Sequence, residues 1–263
     1  MWRETNEPEL MSIKKTALSL SFLIILLFWS HPLSAQQMRI QMKAGTLAHS
    51  SSLGSQMRAL DNPEFEHEGA YLFCDSAWIY EETNTMDCYG HVRIKSSDTL
   101  NLYGNKLHYD GNARIADIRE NVKLVDNQGT LTTDRLLYDR NTGIASYSTG
   151  GKMVNDDNIL TSKKCDYYTL SKFMFFHTDV VLTNPDFKIN TDTLKYNTVT
   201  RVSYFVGPTI IKGKNNYIYC EDGEYSRVTN KARFSRNALM WTTTAGLPET
   251  ACITTTTSIT EKL

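Results

Sequence analysis

The chain has 263 residues, of which 41% are hydrophobic and 22% are charged. This composition is typical of a globular protein and excludes an intrinsically disordered chain. The formal net charge of −1 excludes an overall field that would attract nucleic acid or an anionic membrane.

Residues 1–35 have the pattern of a secretory signal. Lys14 and Lys15 provide a positive start, Leu18–Trp29 is an apolar run, and Ala35 ends a small-residue cleavage site. Met11 is a candidate for the true initiator. A membrane anchor is the alternative, but the run of 12 residues is shorter than the about 20 that a spanning helix needs. We therefore predict cleavage near Ala35 and export to the periplasm, with outer-membrane association as a further option.

The two ends of the exported chain differ from its middle. Residues 36–66 are polar and are predicted to be an irregular lead-in, and 67–240 are predicted to carry a repeat. The last segment, 241–263, is an atypical threonine-rich tail with four consecutive threonines at Thr254–Thr257. Either this tail is disordered, or the chain is truncated there and the repeats once continued.

A spacing of 29 residues organises the middle of the chain. Tyrosine, which occurs 14 times in the sequence, recurs at this spacing in six places: Tyr80, Tyr109, Tyr138, Tyr167, Tyr196 and Tyr225. Seven residues before each tyrosine stand Phe73, Leu102, Leu131, Leu160, Ile189 and Ile218. Two residues before it stand Trp78, Leu107, Leu136, Cys165, Leu194 and Gly223. Fixed periods of this size indicate stacked structural units.

Each unit has the pattern of strands. Apolar residues alternate around the tyrosine, as at Leu136 and Tyr138, and turn residues such as Asn141-Thr142-Gly143 follow at once. No long window has helical spacing. The sequence therefore predicts an all-β fold, a stacked antiparallel β-jellyroll or solenoid built from six 29-residue repeats.

The sequence offers little to support catalysis. The five cysteines (Cys74, Cys88, Cys165, Cys220 and Cys252) contain no CxxC motif, and the histidines have no metal-ligand spacing. No nucleophile elbow, phosphate-binding loop or dinucleotide-binding motif is present. Asp134 and Asp192 share a polar column, which a position beside a bend explains more simply than catalysis does. We predict a protein that is not an enzyme and that uses no cofactor or metal.

The apolar columns predict an inner face. The tyrosine column and the column seven residues earlier are an odd number apart, so on a flat strand they would point to opposite sides. Small or polar residues lie between them, as at Gly104, Thr133, Ser162 and Thr191, and a bend there would bring both to one side. The predicted inner-face residues are Phe73, Trp78, Tyr80, Leu102, Leu107, Tyr109, Leu131, Leu136, Tyr138, Leu160, Tyr167, Ile189, Leu194 and Tyr196.

The repeat resembles the OstA/LptA family of lipopolysaccharide-transport proteins over about residues 65–240. The resemblance lies in Leu-Thr-Thr-Asp-x-Leu-x-Tyr-Asp at Leu131–Asp139 and in the strands Gly90–Ile94 and Asn121–Leu124. Phe65–Tyr71 and Thr191–Asn197 look like the version found in Bacteroidetes-type bacteria. The family implies a β-jellyroll of V-shaped sheet with an apolar groove for lipid A acyl chains. It also implies end-to-end docking with other jellyroll domains of a transport bridge. The unpaired strand edges at the ends of an open stack suit such sheet-edge docking, with self-association as a further option.

Two classes of function stay open at this point. The first is a periplasmic bridge that binds lipopolysaccharide and carries it toward the outer membrane, with no nucleic-acid partner. The second is a structural or adhesive β-solenoid whose columns fill a closed core and bind no ligand. A polysaccharide-active β-helix enzyme is a distant third. Co-purified lipid A would distinguish the first class from the others.

Overall fold

The computed structural model describes residues 39–49, 56–95, 101–126, 129–242 and 254–262. The predicted signal, 1–35, lies outside these residues. The described part forms one antiparallel sheet of eighteen strands. They are β1 (Gln41–His49), β2 (Gln56–His67), β3 (Ala70–Phe73), β4 (Ser76–Tyr80), β5 (Thr85–Lys95), β6 (Asn101–Asp110), β7 (Ile115–Asp126), β8 (Gly129–Asp139), β9 (Ile144–Tyr147), β10 (Gly151–Asn155), β11 (Asn158–Ser162), β12 (Lys164–Tyr168), β13 (Phe173–Thr183), β14 (Lys188–Asn197), β15 (Val202–Lys212), β16 (Asn216–Ser226), β17 (Lys231–Thr242) and β18 (Thr254–Lys262).

The strands form a meander in which sequence neighbours are also hydrogen-bonded neighbours. β5 pairs with β6, β6 with β7 and β7 with β8, and the same order runs from β13 to β18. Three short pairs each act as one strand that is interrupted at its middle. β3 and β4 both bond to β2 and β5, β9 and β10 both bond to β8, and β11 and β12 both bond to β13. The predicted all-β antiparallel class is confirmed.

Each long strand turns a corner near its middle. Every second strand carries residues of positive φ there, in pairs such as Gly90-His91, Glu120-Asn121, Thr178-Asp179 and Arg236-Asn237. The intervening strands skip a single residue, so that in β14 Thr191 and Thr193 pair consecutively with β15. This is the predicted bend, and it gives Ile189 and Tyr196, an odd number of residues apart, the same buried side.

The corners divide the sheet into two halves that enclose one hydrophobic core. Alternate side chains of both halves are buried, and they form a single cluster from Ala59 to Ala238. In the part of the chain that the structure describes, no helix has the length and apolar character needed to cross a membrane.

The ends of the sheet differ from the sequence-based expectation. The predicted irregular lead-in, 36–66, contains β1 and most of β2, which pair with each other, and it places Ala59 and Phe65 in the core. Polar residues around the β2 corner, where Asp61 and Asn62 have positive φ, interrupt the apolar alternation that would have indicated a strand. Within the predicted tail, 241–263, the described segment Thr254–Lys262 is strand β18, paired with β17.

A charged cluster stabilises the outer face of the sheet. Asp117 is 7% exposed and accepts hydrogen bonds from Arg135 at 2.8 and 2.9 Å and from Arg119 at 3.1 Å. Burial alone would raise the pKa of Asp117, but the hydrogen bonds from the two guanidinium groups outweigh it and hold the pKa below its ordinary value of 3.8. The ionised carboxylate therefore contributes to stability.

We expect Asp117→Asn to lower the free energy of unfolding near pH 7 by about 1 kcal/mol. Because the folded-state pKa is depressed, this contribution is present above the unfolded pKa and is lost as the pH falls through the folded pKa. The difference between wild type and variant should therefore shrink below about pH 4. Urea unfolding at several pH values measures it, with the exposed Asp134→Asn as control. An equal penalty at pH 7 and at pH 2 would contradict the assignment.

Candidate functional site

Most of the predicted inner-face side chains lie in the core. Eleven of the fourteen are at most 7% exposed: Leu102, Leu107, Tyr109, Leu131, Leu136, Tyr138, Leu160, Tyr167, Ile189, Leu194 and Tyr196. Cys165, which stands in the column two residues before the tyrosines, is also buried. From Leu102 onward, the tyrosine column and the column seven residues earlier therefore run side by side through one apolar interior. Their contact with a lipid stays a prediction.

The first copy of the repeat was predicted wrongly. Phe73, Trp78 and Tyr80 do not belong to the core, and their neighbours Leu72, Ala77 and Ile79 point inward instead. Phe73 and Trp78 pack under guanidinium groups, those of Arg93 and Arg58, with 5.8 and 5.6 Å to the ring centroids. The Tyr80 hydroxyl donates to Asp87 at 3.1 Å.

The wrong assignment of the first copy results from one extra residue in the hairpin between Ile94 and Leu102. The paired core residues Ile94 and Leu102 are eight positions apart, whereas Leu124 and Leu131, which also pair, are seven apart. Each core residue before this hairpin therefore stands one position earlier in the chain than the 29-residue period predicts. Tyr80 keeps the spacing by coincidence, because Ile79 is the structural equivalent of Tyr109.

Small residues make room for the large rings. Ala116 pairs with both Tyr109 and Tyr138, and Ala145 pairs with both Tyr138 and Tyr167. Gly223 lies between two phenylalanines in the same way, since an added Cβ would lie 3.0 Å from Phe234 and 3.3 Å from Phe205. Large and small side chains alternate along the stack, and the interior is filled to high density.

Little free space remains inside the described sheet. A cavity of about 40 Å³ lies between Met153, Leu160 and Leu182 on one half and Leu194, Tyr196 and Tyr225 on the other. Ligand pockets commonly measure about 300–1,000 Å³. A larger cavity of about 240 Å³, lined by Met42, Met57, Phe65 and Ile79 among others, lies at the end formed by β1 and β2. An acyl chain could enter the middle of the core only if the two halves separated.

The two halves meet along a line of turns, which we call the seam. On one side it includes the hairpin turns at Glu68–Gly69 and Asp156–Asp157, and on the other the turns 111–114, 140–143 and 227–230. Side chains cross the seam at several levels. Arg114 forms an ion pair with Glu68, and the hydrogen bond from Arg114 lowers the pKa of Glu68. Near the other end of the described stack, the Phe187 ring meets the Tyr225 ring edge-on at 5.6 Å.

Arg140 makes the most extensive crossing. Its guanidinium donates to the backbone oxygens of His67 and Glu68 at 3.1 and 3.0 Å and to the Tyr109 hydroxyl at 2.9 Å. His67 and Tyr109 are each 1% exposed, and His67 Nδ1 lies 2.7 Å from the Tyr109 hydroxyl. Burial raises the pKa of Tyr109, and the Arg140 hydrogen bond opposes the rise. This Arg140 clasp supplies donors to two backbone oxygens and one buried hydroxyl at the same time.

A weaker crossing lies further along the seam. Arg227 donates from Nη2 to Asp156 Oδ2 at 2.9 Å, with the Asp156 side chain 76% exposed and the Arg227 side chain 20% exposed. The two residues are 71 positions apart, so no pattern within a single repeat would have indicated their contact. Tyr196 and the cavity of about 40 Å³ lie beside this crossing.

Within the described ranges, no group of three or more His, Cys, Asp or Glu residues is placed to hold a metal ion. Asp134 and Asp192 are exposed beside the corners of their strands.

The fold and its interior together define an antiparallel β-jellyroll whose two halves enclose a continuous apolar core. The chain belongs to the OstA-like protein family, whose sequence profile matches residues 40–192. The resemblance found in the repeat is thereby confirmed, and the match begins earlier than the repeat itself.

Among solved structures, the protein is similar to LptH from Pseudomonas aeruginosa, described as the LptA homologous periplasmic component of the conserved lipopolysaccharide transport device. The similarity covers 41% of this chain and 81% of that chain, with 9% sequence identity and a TM-score of 0.37. No curated protein matches the chain.

Proposed function

We propose that the protein is a periplasmic bridge that binds lipopolysaccharide and carries it toward the outer membrane, with lipid A acyl chains held between the two halves of the sheet. The observation that carries the proposal is the continuous apolar interior, which runs through every strand from β2 to β17. Membership of the OstA-like family supports it. The role is one of binding and needs no catalytic group or cofactor.

Acyl chains fit such an interior because they require only non-directional apolar contact, worth about 25 cal/mol per Å² buried. From Leu102 onward the same kinds of side chain return every 29 residues. A chain displaced by one unit therefore meets nearly the same surroundings. As the lipid moves along the stack, its free energy then has no deep minimum at any one unit that would trap it.

The end of the sheet suits a second jellyroll domain. β1 pairs only with β2 among the described strands, so its other edge offers backbone groups to an incoming strand. The cavity of about 240 Å³ opens at the same end. Docking there would continue the apolar interior from one domain into the next, whether the partner is another component of the bridge or a second copy of this chain.

One observation favours the alternative, a structural β-solenoid without a ligand. The core residues are almost fully buried and leave a cavity of about 40 Å³ at mid-stack. The lipid-binding proposal therefore requires the seam to open, and the structural alternative does not.

The test is to purify the exported chain without denaturant from a lipopolysaccharide-producing bacterium, extract it with organic solvent and analyse the extract by mass spectrometry. We expect lipid A ions in the extract, and none in that from an unrelated exported β-protein prepared in parallel. If no lipid A co-purifies, and none binds when lipopolysaccharide is added afterwards, the structural role is the better description.

A further inference from the structure

Three features meet at the crossing formed by Arg227. A cavity with apolar walls lies directly inside it, the crossing is a single ion pair, and a buried hydroxyl beside it has no acceptor for its proton. The cavity is bounded by Met153, Leu160 and Leu182 from one half of the sheet, and Arg227 lines it at the seam.

The hydroxyl belongs to Tyr196. This residue is 6% exposed, and among the described residues its hydroxyl has no acceptor for its proton, since the nearby Arg227 can only donate. Other core tyrosines are satisfied: the Tyr109 hydroxyl meets Arg140, that of Tyr147 meets Ser162 at 2.7 Å, and that of Tyr225 donates to Asn230 at 3.0 Å. A buried hydroxyl without an acceptor is costly, so this one indicates an acceptor that arrives from outside.

The charges around Tyr196 are balanced. Arg227, Arg201 and Asp126 act on it electrostatically, and Asp156 lies beyond Arg227. Burial raises the pKa of Tyr196, and Arg227 opposes the rise. The hydroxyl therefore stays protonated near neutral pH and is able to donate.

Asp156 is an exchangeable partner for Arg227. It lies at the tip of a hairpin with its side chain 76% exposed, and ion pairs in such positions contribute little to stability. A phosphate group would compete well for the guanidinium, because two of its oxygens can accept bidentate hydrogen bonds. A third oxygen remains for the Tyr196 hydroxyl, whereas a carboxylate has only two oxygens in all.

We propose that Arg227 and Tyr196 form a site for the phosphate headgroup of an acyl-chain amphiphile. In binding, the phosphate displaces Asp156 from Arg227, and the acyl chain enters between the two halves where that ion pair had joined them. This inference rests on the proposed function and adds to it a place of entry and a headgroup chemistry. The Arg140 clasp is not such a site, because its donors are already used by backbone oxygens and a hydroxyl within the protein.

The test uses the full exported chain and two probes with the same alkyl chain, dodecyl phosphate and the uncharged dodecyl maltoside, each below its micelle concentration. Isothermal titration calorimetry gives both affinities. We expect wild type to bind dodecyl phosphate about tenfold more tightly, the factor that corresponds to one charge-assisted hydrogen bond. Inorganic phosphate and dodecanoate complete the set, and both should bind more weakly than dodecyl phosphate.

Three variants then assign the preference to individual residues. Arg227→Gln should remove it, and Tyr196→Phe, which keeps the ring, should reduce it severalfold without affecting dodecyl maltoside. Asp156→Asn should strengthen dodecyl phosphate binding, because the competing carboxylate is gone. The matched control is Arg233→Gln, since Arg233 is an exposed arginine of the neighbouring strand β17.

The outcomes separate this inference from the function on which it rests. Equal binding of both probes, or a preference unchanged in Arg227→Gln, overturns the phosphate site and leaves lipid binding intact. Dodecanoate that binds as tightly as dodecyl phosphate overturns the choice of headgroup. If neither amphiphile binds and lipid A is absent from the purified protein, the proposed function itself is wrong.

Discussion

Leu131→Arg is expected to abolish lipid A binding and to lower the free energy of unfolding by at least about 3 kcal/mol. Leu131 is 3% exposed and pairs with Leu124 on β7 and Met153 on β10. A guanidinium at this position would lie in an apolar interior without an acceptor. Leu160→Arg, on β11, should behave alike, because Leu160 is 6% exposed and pairs with the same Met153. Urea unfolding gives the stability, and mass spectrometry of the folded fraction gives the lipid content.

The same strand supplies the matched control. Leu137 is 39% exposed on the outer face of β8, so Leu137→Arg makes the same chemical change six residues away without burying a charge. It should leave stability and lipid content nearly unchanged, as should Asp134→Asn. If Leu131→Arg and Leu160→Arg both stay folded and still carry lipid, the inner face is not the binding surface.

The second large effect is expected at the Arg140 clasp. Arg140→Gln should lower the free energy of unfolding on the order of 3 kcal/mol, because it leaves the backbone oxygens of His67 and Glu68 and the Tyr109 hydroxyl short of a donor. Urea unfolding gives the magnitude. Hydrogen exchange should also become faster in the turn after β2 and around Tyr109, where the two halves would separate first.

Arg140→Lys provides the graded comparison. Lysine keeps the charge but lacks the planar guanidinium group that donates to several acceptors at once. Arg140→Lys should therefore restore only part of the lost stability. The exposed Arg233→Gln is the control for loss of a guanidinium. Wild-type stability and unchanged exchange in Arg140→Gln would show that the clasp does not hold the seam closed.

The repeat and its bend could be predicted from the sequence because both depend on local spacing. The odd interval between Leu102 and Tyr109 requires a corner wherever both side chains are buried, and the structure has that corner. The same counting failed at Tyr80. A fixed interval assumes that every hairpin has the same length, and the hairpin between Ile94 and Leu102 has one residue more than its equivalents.

The seam could not be predicted in the same way. Arg140 and His67 are 73 residues apart, and Arg227 and Asp156 are 71 apart. These contacts depend on how far the sheet curls around its core, which a one-residue error in register or a small change in twist would alter. The lack of an acceptor for the Tyr196 hydroxyl is likewise a property of its surroundings, because the other tyrosines of its column look the same in the sequence.

Because the strands follow one another in a meander, the number of repeat units sets the length of the stack. Each 29-residue unit contributes two strands, and strands lie about 4.8 Å apart, so one unit lengthens the stack by about 10 Å. When each interrupted pair is counted as one strand, strands bond only to those adjacent to them along the chain, so duplication or loss of a whole unit changes the length of the stack without altering its cross-section. The length of the stack can therefore change in steps of about 10 Å through gene duplication, while the apolar interior of each unit stays the same.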